Sequence, residues 1–261
     1  MTRRILLAGC LSACCSCFIA SVAQVSNVPA RDTRTITGLL TTPSQDGSRI
    51  DRQSTISVGQ FAVPEKARSQ LYKAWNAVNK NKLDDATHYV EKALSFCPHF
   101  AEALTLRAIL ETQDANSIGQ AQADAEKAIE YDPNYGGAYI VLGTIYSFYH
   151  QYNDAIRTLD RGIALLPNIS VGYFEMGIAL VGKGDFAGGL RQAQKASSLD
   201  TAYPYLHLLK AYAYEGLKDQ AASNAELEVF RRLQAQKFSL ANKQKATGVA
   251  QAQIAGTRPA R

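Results

Sequence analysis

The side chains that most often perform catalysis or bind metals are scattered along this 261-residue chain. It contains no Gly-x-Ser-x-Gly, no His-Glu-x-x-His and no phosphate-binding loop, the patterns that would place a nucleophile, a zinc ion or a nucleotide. The four histidines occupy unrelated places in the sequence: His88, His99, His150 and His207. The sequence therefore predicts a protein without enzymatic activity, metal or cofactor.

Cysteine usage gives no disulfide framework. Four of the five cysteines lie within the first 17 residues (Cys10, Cys14, Cys15 and Cys17), and only Cys97 lies beyond them. Cys97 precedes Pro98 and has no flanking basic residue that would activate a thiolate, so we expect it to act as a small apolar side chain.

Charge is distributed unevenly and argues against nucleic-acid binding. Residues 64–228 hold 15 basic and 20 acidic side chains, whereas residues 229–261 hold seven basic and no acidic ones. The net charge of +5 therefore comes from the C-terminal part, and the body that precedes it is acidic. A basic groove for nucleic acid is not expected in such a body.

The N-terminal residues have the pattern of an export signal. Arg3 and Arg4 precede an uncharged apolar run, and Ser21-Val22-Ala23 offers the small residues that a signal peptidase accepts. We expect a signal peptide over 1–23 and a periplasmic or secreted protein. Two alternatives stay open: an uncleaved membrane anchor, and a lipoprotein modified at Cys10 or Cys14.

Small residues and prolines recur with a period of about 34 residues from Pro64 onward. One series of small residues is Ala74, Ala108, Gly143, Gly177 and Ala211; a second is Ala93, Ala128, Gly162 and Ala196; the prolines are Pro98, Pro133 and Pro167. Within a unit, apolar residues at i, i+3, i+4 and i+7 predict two amphipathic helices, with the proline closing the unit. We expect Asn153 or Asp154 to cap a second helix, and an irregular turn near Ser117 where one unit is a residue longer.

The residues of the third and fourth units resemble the tetratricopeptide repeat family. The first matching pattern is Tyr139-x-x-Leu142-Gly143-x-x-Tyr146, followed by Ala155, Leu159 and Pro167, and the second is Tyr173-x-x-Met176-Gly177-x-x-Leu180. Tyrosine stands where the family has tryptophan. The resemblance implies an all-α fold, an α-solenoid of four to five helix pairs over 64–233. Residues 24–63 are rich in Thr, Ser, Arg, Asp and Gln without a helical apolar period, so we expect them to form a largely disordered linker. The basic segment 234–261 is expected to be disordered.

The resemblance also implies that the first helix of each pair lines a concave groove. The groove candidates in this register are Leu71, Trp75, Thr105, Ile109, Ile140, Thr144, Phe148, Phe174, Ile178, Tyr205, Leu208 and Tyr212. We expect a protein–protein interaction module that binds an apolar peptide or helix there, with Phe148 and Phe174 as anchors. The alternative is a membrane-tethered subunit or assembly factor of an envelope complex.

Overall fold

The computed structural model describes residues 63–199 and 203–236, and every regular element in these ranges is a helix. The predicted signal peptide, nearly all of the linker, and the basic segment from residue 237 onward lie outside this range. The helices are α1 (Glu65–Asn79), α2 (Leu83–Phe96), α3 (Ala101–Glu111), α4 (Ile118–Tyr131), α5 (Gly136–Phe148), α6 (Tyr152–Leu165), α7 (Ser170–Lys183), α8 (Phe186–Leu199), α9 (Tyr205–Gly216) and α10, whose described residues are 220–236.

The helices are stacked as five successive pairs. Each of α1, α3, α5 and α7 packs on the even-numbered helix that follows it, and α9 contacts α10 through Tyr205–Phe230 and His207–Glu226. The inner contacts continue from α3 to α5, α7 and α9 in sequence. We call the odd-numbered helices the inner helices and the even-numbered ones the outer helices. The predicted all-α solenoid of helix pairs is confirmed.

The two series of small residues mark the places where helices approach most closely. Every member of both series is buried. A Cβ atom at Gly143 would lie 2.5 Å from Leu159 Cγ on α6, and one at Gly162 would lie 2.8 Å from Ile140 Cγ1 on α5. These two glycines therefore set the distance between α5 and α6, as the sequence predicts.

The prolines stop the outer helices. Pro98, Pro133 and Pro167 each lie two residues beyond the last residue of α2, α4 and α6 respectively. Pro64 directly precedes α1, and Val63 is buried against the core. At the other end, the described residues of α10 reach residue 236.

The tyrosines that replace tryptophan connect successive units. The Tyr139 hydroxyl donates a hydrogen bond to the Pro133 carbonyl (3.1 Å), and the Tyr173 hydroxyl donates one to the Pro167 carbonyl (2.9 Å). Each bond joins an inner helix to the loop that closes the preceding unit. The tyrosine hydroxyl extends from the end of its ring and reaches these carbonyls. A tryptophan carries its N–H at a different position on the ring.

The turn inside a pair has the same backbone geometry in four units. Asn81, His150, Gly184 and Lys218 adopt positive φ values of 57°, 59°, 94° and 64°. In each of these units, the amide of the residue that follows donates a 2.9 Å hydrogen bond to the carbonyl five residues before that amide. This is the hydrogen-bonding pattern of a helix end at which one residue adopts a left-handed backbone conformation. In the second unit a 3-10 helix over Ala115–Ser117 takes the place of this turn, so the predicted irregular turn is confirmed.

The predicted cap of α6 is wrong. The helix begins at Tyr152 with Gln151 in the capping position, and no side chain accepts a capping hydrogen bond there. Asp154 lies in the first turn instead, where its carboxylate pairs with Arg157 at 2.6 Å. His150, whose φ is positive, ends the turn that follows α5. The next helix, α6, then begins at Tyr152, before the polar residues Asn153 and Asp154 that are predicted to cap it.

Candidate functional site

The inner helices form a continuous layer from α3 to α9, since each contacts the next inner helix. The middle helix of this layer, α5, contains no charged residue. The inner helices carry all the residues that the sequence assigns to a groove. Their exposure decides which of them could contact a partner.

Most of the predicted groove residues belong to the core, which corrects the sequence prediction. The buried candidates are Leu71, Trp75, Thr105, Ile109, Ile140, Phe174 and Tyr205. Ile140 shows why a residue predicted to line the groove is buried instead. It packs under Gly162 of α6, and a Cβ at Gly172 of α7 would lie 3.4 Å from its Cδ1 atom. The next inner helix therefore covers this side chain.

Phe174 is predicted to project into the groove, and the structure places it inside the C-terminal core instead. Its ring centroid lies 5.1 Å from that of Tyr203 in an edge-on arrangement. The contacts continue from Tyr203 to Tyr205 at 5.3 Å and from Tyr205 to Phe230 of α10 at 5.6 Å. This row of four rings holds α7, α9 and α10 together, so Phe174 stabilises the fold.

Five candidates keep accessible surface on the inner helices. Phe148, at the end of α5, is 40% exposed and meets Tyr149 edge-on at 5.6 Å. The other four are half-buried: Thr144, Ile178, Leu208 and Tyr212. The predicted groove residues that remain accessible are therefore fewer than expected and lie on α5, α7 and α9. We call these five residues the inner-face strip.

Sequence reasoning missed Glu175, an acidic residue of α7 that lies next to the inner-face strip. Burial raises the pKa of its carboxyl to about 7, and a hydrogen bond with Thr144 opposes that shift. The Thr144 hydroxyl also lies 2.9 Å from the Ile140 carbonyl and has one hydrogen to donate. A protonated Glu175 can therefore donate to Thr144 while Thr144 donates to Ile140. An ionised Glu175 requires the Thr144 hydrogen for itself.

A second acidic residue lies on α3. Burial raises the pKa of Glu102, and a hydrogen bond from the Trp75 indole lowers it. The hydroxyl of Tyr135 is buried and has no hydrogen-bond partner among the described residues. Burial together with the negative charges of Glu102 and Asp132 raises the pKa of Tyr135 well above its usual value. Both acids share one signal that could have identified them: each interrupts the apolar face of an inner helix.

The remaining polar clusters are structural. Arg107 of α3 makes two hydrogen bonds to Asp124 of α4, at 2.5 and 2.8 Å, and the Asp124 side chain is almost fully buried. His207 of α9 lies 2.6 Å from Glu226 of α10. Cys97 is half-buried against the core as a free thiol.

Neither a metal site nor a membrane span is found in the described part of the chain. No three histidine, cysteine, aspartate or glutamate side chains gather there as metal ligands would. The described helices also include none with the length and apolar composition needed to cross a bilayer.

Comparisons with known proteins concern the fold. No family model and no curated protein matches this sequence. Among solved structures, the chain is similar to residues 41 to the end of MamA from Desulfovibrio magneticus RS-1, with 19% identity over 67% of this chain and 98% of that one and a TM-score of 0.53. It is also similar to TTC0263, a thermophilic TPR protein of Thermus thermophilus, with 17% identity over 65% and 97% of the two chains and a TM-score of 0.56.

Proposed function

Since this chain has the fold of tetratricopeptide repeat proteins, we propose that it is a non-enzymatic protein–protein interaction module. The inner-face strip binds an apolar peptide segment or a short amphipathic helix of a partner protein. Binding comes from the burial of apolar and aromatic surface along α5, α7 and α9.

The exposure of Phe148 is the observation that carries this proposal. A phenylalanine that keeps 40% of its surface in water on an uncharged helix gains free energy when a partner covers it. Ile178 and Leu208, on the next two inner helices, extend the apolar surface beyond α5. A partner segment that crosses the inner helices would contact all three.

A peptide-library selection on the purified full chain tests this function. Peptides that bind should be apolar, and Phe148→Ala should weaken their binding by about tenfold or more while leaving the melting temperature nearly unchanged. Phe96→Ala is a matched control, since Phe96 is a phenylalanine of similar exposure (42%) at the end of the outer helix α2. Equal losses for both variants, or a library that yields no peptide, would contradict the proposal.

We place this module outside the cytoplasm because of Arg3, Arg4 and the apolar run that follows them. N-terminal sequencing of the protein from its native cells should begin at Gln24. A chain that still begins at Met1, or one that begins at a lipid-modified Cys10 or Cys14, would show a different N-terminal processing.

A further inference from the structure

Glu175 has two residues of the inner-face strip as neighbours. Its carboxyl shares a hydrogen bond with the Thr144 hydroxyl of α5, and Ile178 follows three residues later on the same face of α7. The Glu175 side chain is half-buried, so part of its surface is still accessible to water. A partner segment that contacts both Thr144 and Ile178 would therefore lie against Glu175 as well.

No cation neutralises this carboxyl in the described part of the chain. Glu175 takes part in none of the ion pairs formed within residues 63–199 and 203–236, and α5 contains no charged residue. Its polar contact is the Thr144 hydroxyl, which also lies 2.9 Å from the Ile140 carbonyl. An ionised Glu175 is thus held by one hydroxyl group whose single hydrogen has a second acceptor.

The four described helices packed against α7 bring no charge to Glu175. These helices are α5, α6, α8 and α9. Burial and Thr144 alone shift the pKa of Glu175, so none of the charged or imidazole side chains on these helices acts on it. Those side chains are Asp154, Arg157, Asp160 and Arg161 of α6, Arg191 and Lys195 of α8, and His207, Lys210 and Glu215 of α9. The other titratable side chains of the four helices are tyrosines.

A partner that covers the strip removes the water that an ionised Glu175 needs. Withdrawing water raises the free energy of a carboxylate far more than that of a neutral carboxyl, and an apolar segment offers no polar group in exchange. Burial already raises the pKa of Glu175 to about 7 in the free chain, so protonation near neutral pH requires little free energy. The protonated carboxyl can donate to Thr144 while Thr144 keeps its bond to Ile140.

We propose that Glu175 determines which partners the inner-face strip accepts: an apolar segment binds when the Glu175 carboxyl is protonated, and binding takes up a proton. The affinity for such a segment therefore falls as the pH rises through the neutral range. This inference rests on the proposed function, because it describes a property of that same surface.

Linkage gives the size of the effect. If the pKa of Glu175 is about one unit higher in the complex than in the free chain, binding weakens by about five- to tenfold between pH 6 and pH 9. The complex then holds about half a proton more than the free chain at pH 7.5. Both quantities have the same sign, since the partner binds the protonated form more tightly.

Titration of the full chain with one peptide selected at the strip tests the proposal. The peptide is apolar, has blocked ends and contains no ionisable side chain, so a proton taken up on binding enters the protein. We expect its dissociation constant to rise by about five- to tenfold from pH 6 to pH 9. Calorimetry in buffers of different ionisation enthalpy counts the protons. Glu175→Gln should bind with one affinity at both pH values and take up no proton.

His150→Gln is the matched control, because histidine is the other side chain that commonly changes charge in this range, and His150 lies two residues from Phe148. This variant should keep the pH dependence. A pH dependence that persists in Glu175→Gln, or one that disappears in His150→Gln, would overturn the inference. The proton count on the natural chain needs no variant, and an uptake of zero would overturn it as well.

The same titration separates this inference from the proposed function. Peptides that bind at Phe148 with equal affinity at pH 6 and pH 9 would refute the role of Glu175 and leave the interaction module standing. A library that yields no peptide even at pH 6 would remove the proposed function, and this inference with it.

Discussion

At the scale of single residues, Glu175 makes the stability of the protein depend on pH. Its pKa is about 7 in the folded chain against 4.5 for the ordinary side chain, so the folded state binds its proton more tightly than the unfolded state does. The stabilisation that the folded state gains by binding this proton is fully present below pH 4.5 and is lost as the pH rises through about 7. Glu175→Gln, which carries no charge at any pH, removes this dependence.

We expect Glu175→Gln to stabilise the fold by about 1–3 kcal/mol at pH 8 and to have little effect at pH 4. Urea unfolding of the variant and the natural chain at both pH values measures the difference. Glu130→Gln is the control, because Glu130 is an exposed glutamate of the outer helix α4. The same gain at pH 4 and pH 8 would show that the burial of this carboxyl is not the cause.

Phe174 and Phe148 are both phenylalanines of inner helices, yet they belong to different parts of the molecule. Phe174 is buried in the row of rings that joins α7, α9 and α10, so Phe174→Ala should cost about 3–5 kcal/mol of stability. Thermal unfolding of the two alanine variants side by side gives the comparison with Phe148. If Phe174→Ala melts at the same temperature as the natural chain, the ring row does not hold these helices together.

At the scale of helices and turns, the left-handed turn residues predict where the chain can be stabilised. Lys218 adopts a φ of 64°, which costs a side chain with a Cβ about 1–2 kcal/mol, whereas glycine adopts it freely. Part of this gain is lost because glycine also has more freedom in the unfolded chain. We expect Lys218→Gly to stabilise the protein by roughly 0.5–1 kcal/mol in urea unfolding.

Asn81 provides a matched control for this substitution. It occupies the equivalent turn in the first unit at a φ of 57°, but asparagine tolerates the left-handed region better than lysine does. Asn81→Gly should therefore change stability little. His150 is less suitable, since its ring also lies 2.7 Å from the Tyr152 hydroxyl and glycine would lose that contact. A Lys218→Gly variant less stable than the natural chain would contradict the argument.

At the scale of the whole molecule, the repeat period predicts the order of the helices but not the surface that they leave exposed. Spacing identifies Gly143 and Gly162 as close contacts, because the two-helix unit requires a small residue at each of these places. Exposure depends on the following unit as well. Ile140 and Thr144 lie one turn apart on α5, yet only Ile140 is covered fully, since Gly172 lets α7 approach it. Pattern analysis of one unit cannot supply that information.

The hydrogen bonds from Tyr139 and Tyr173 to the preceding proline loops have a mechanical consequence. They join the second, third and fourth units in series, whereas the side chains at the equivalent places on either side, Leu104 and His207, make no such bond to a proline carbonyl within the described range. A chain held at its two ends and stretched should then unravel from the outside inward. The three joined units would give way last and together, as one long step in the extension trace.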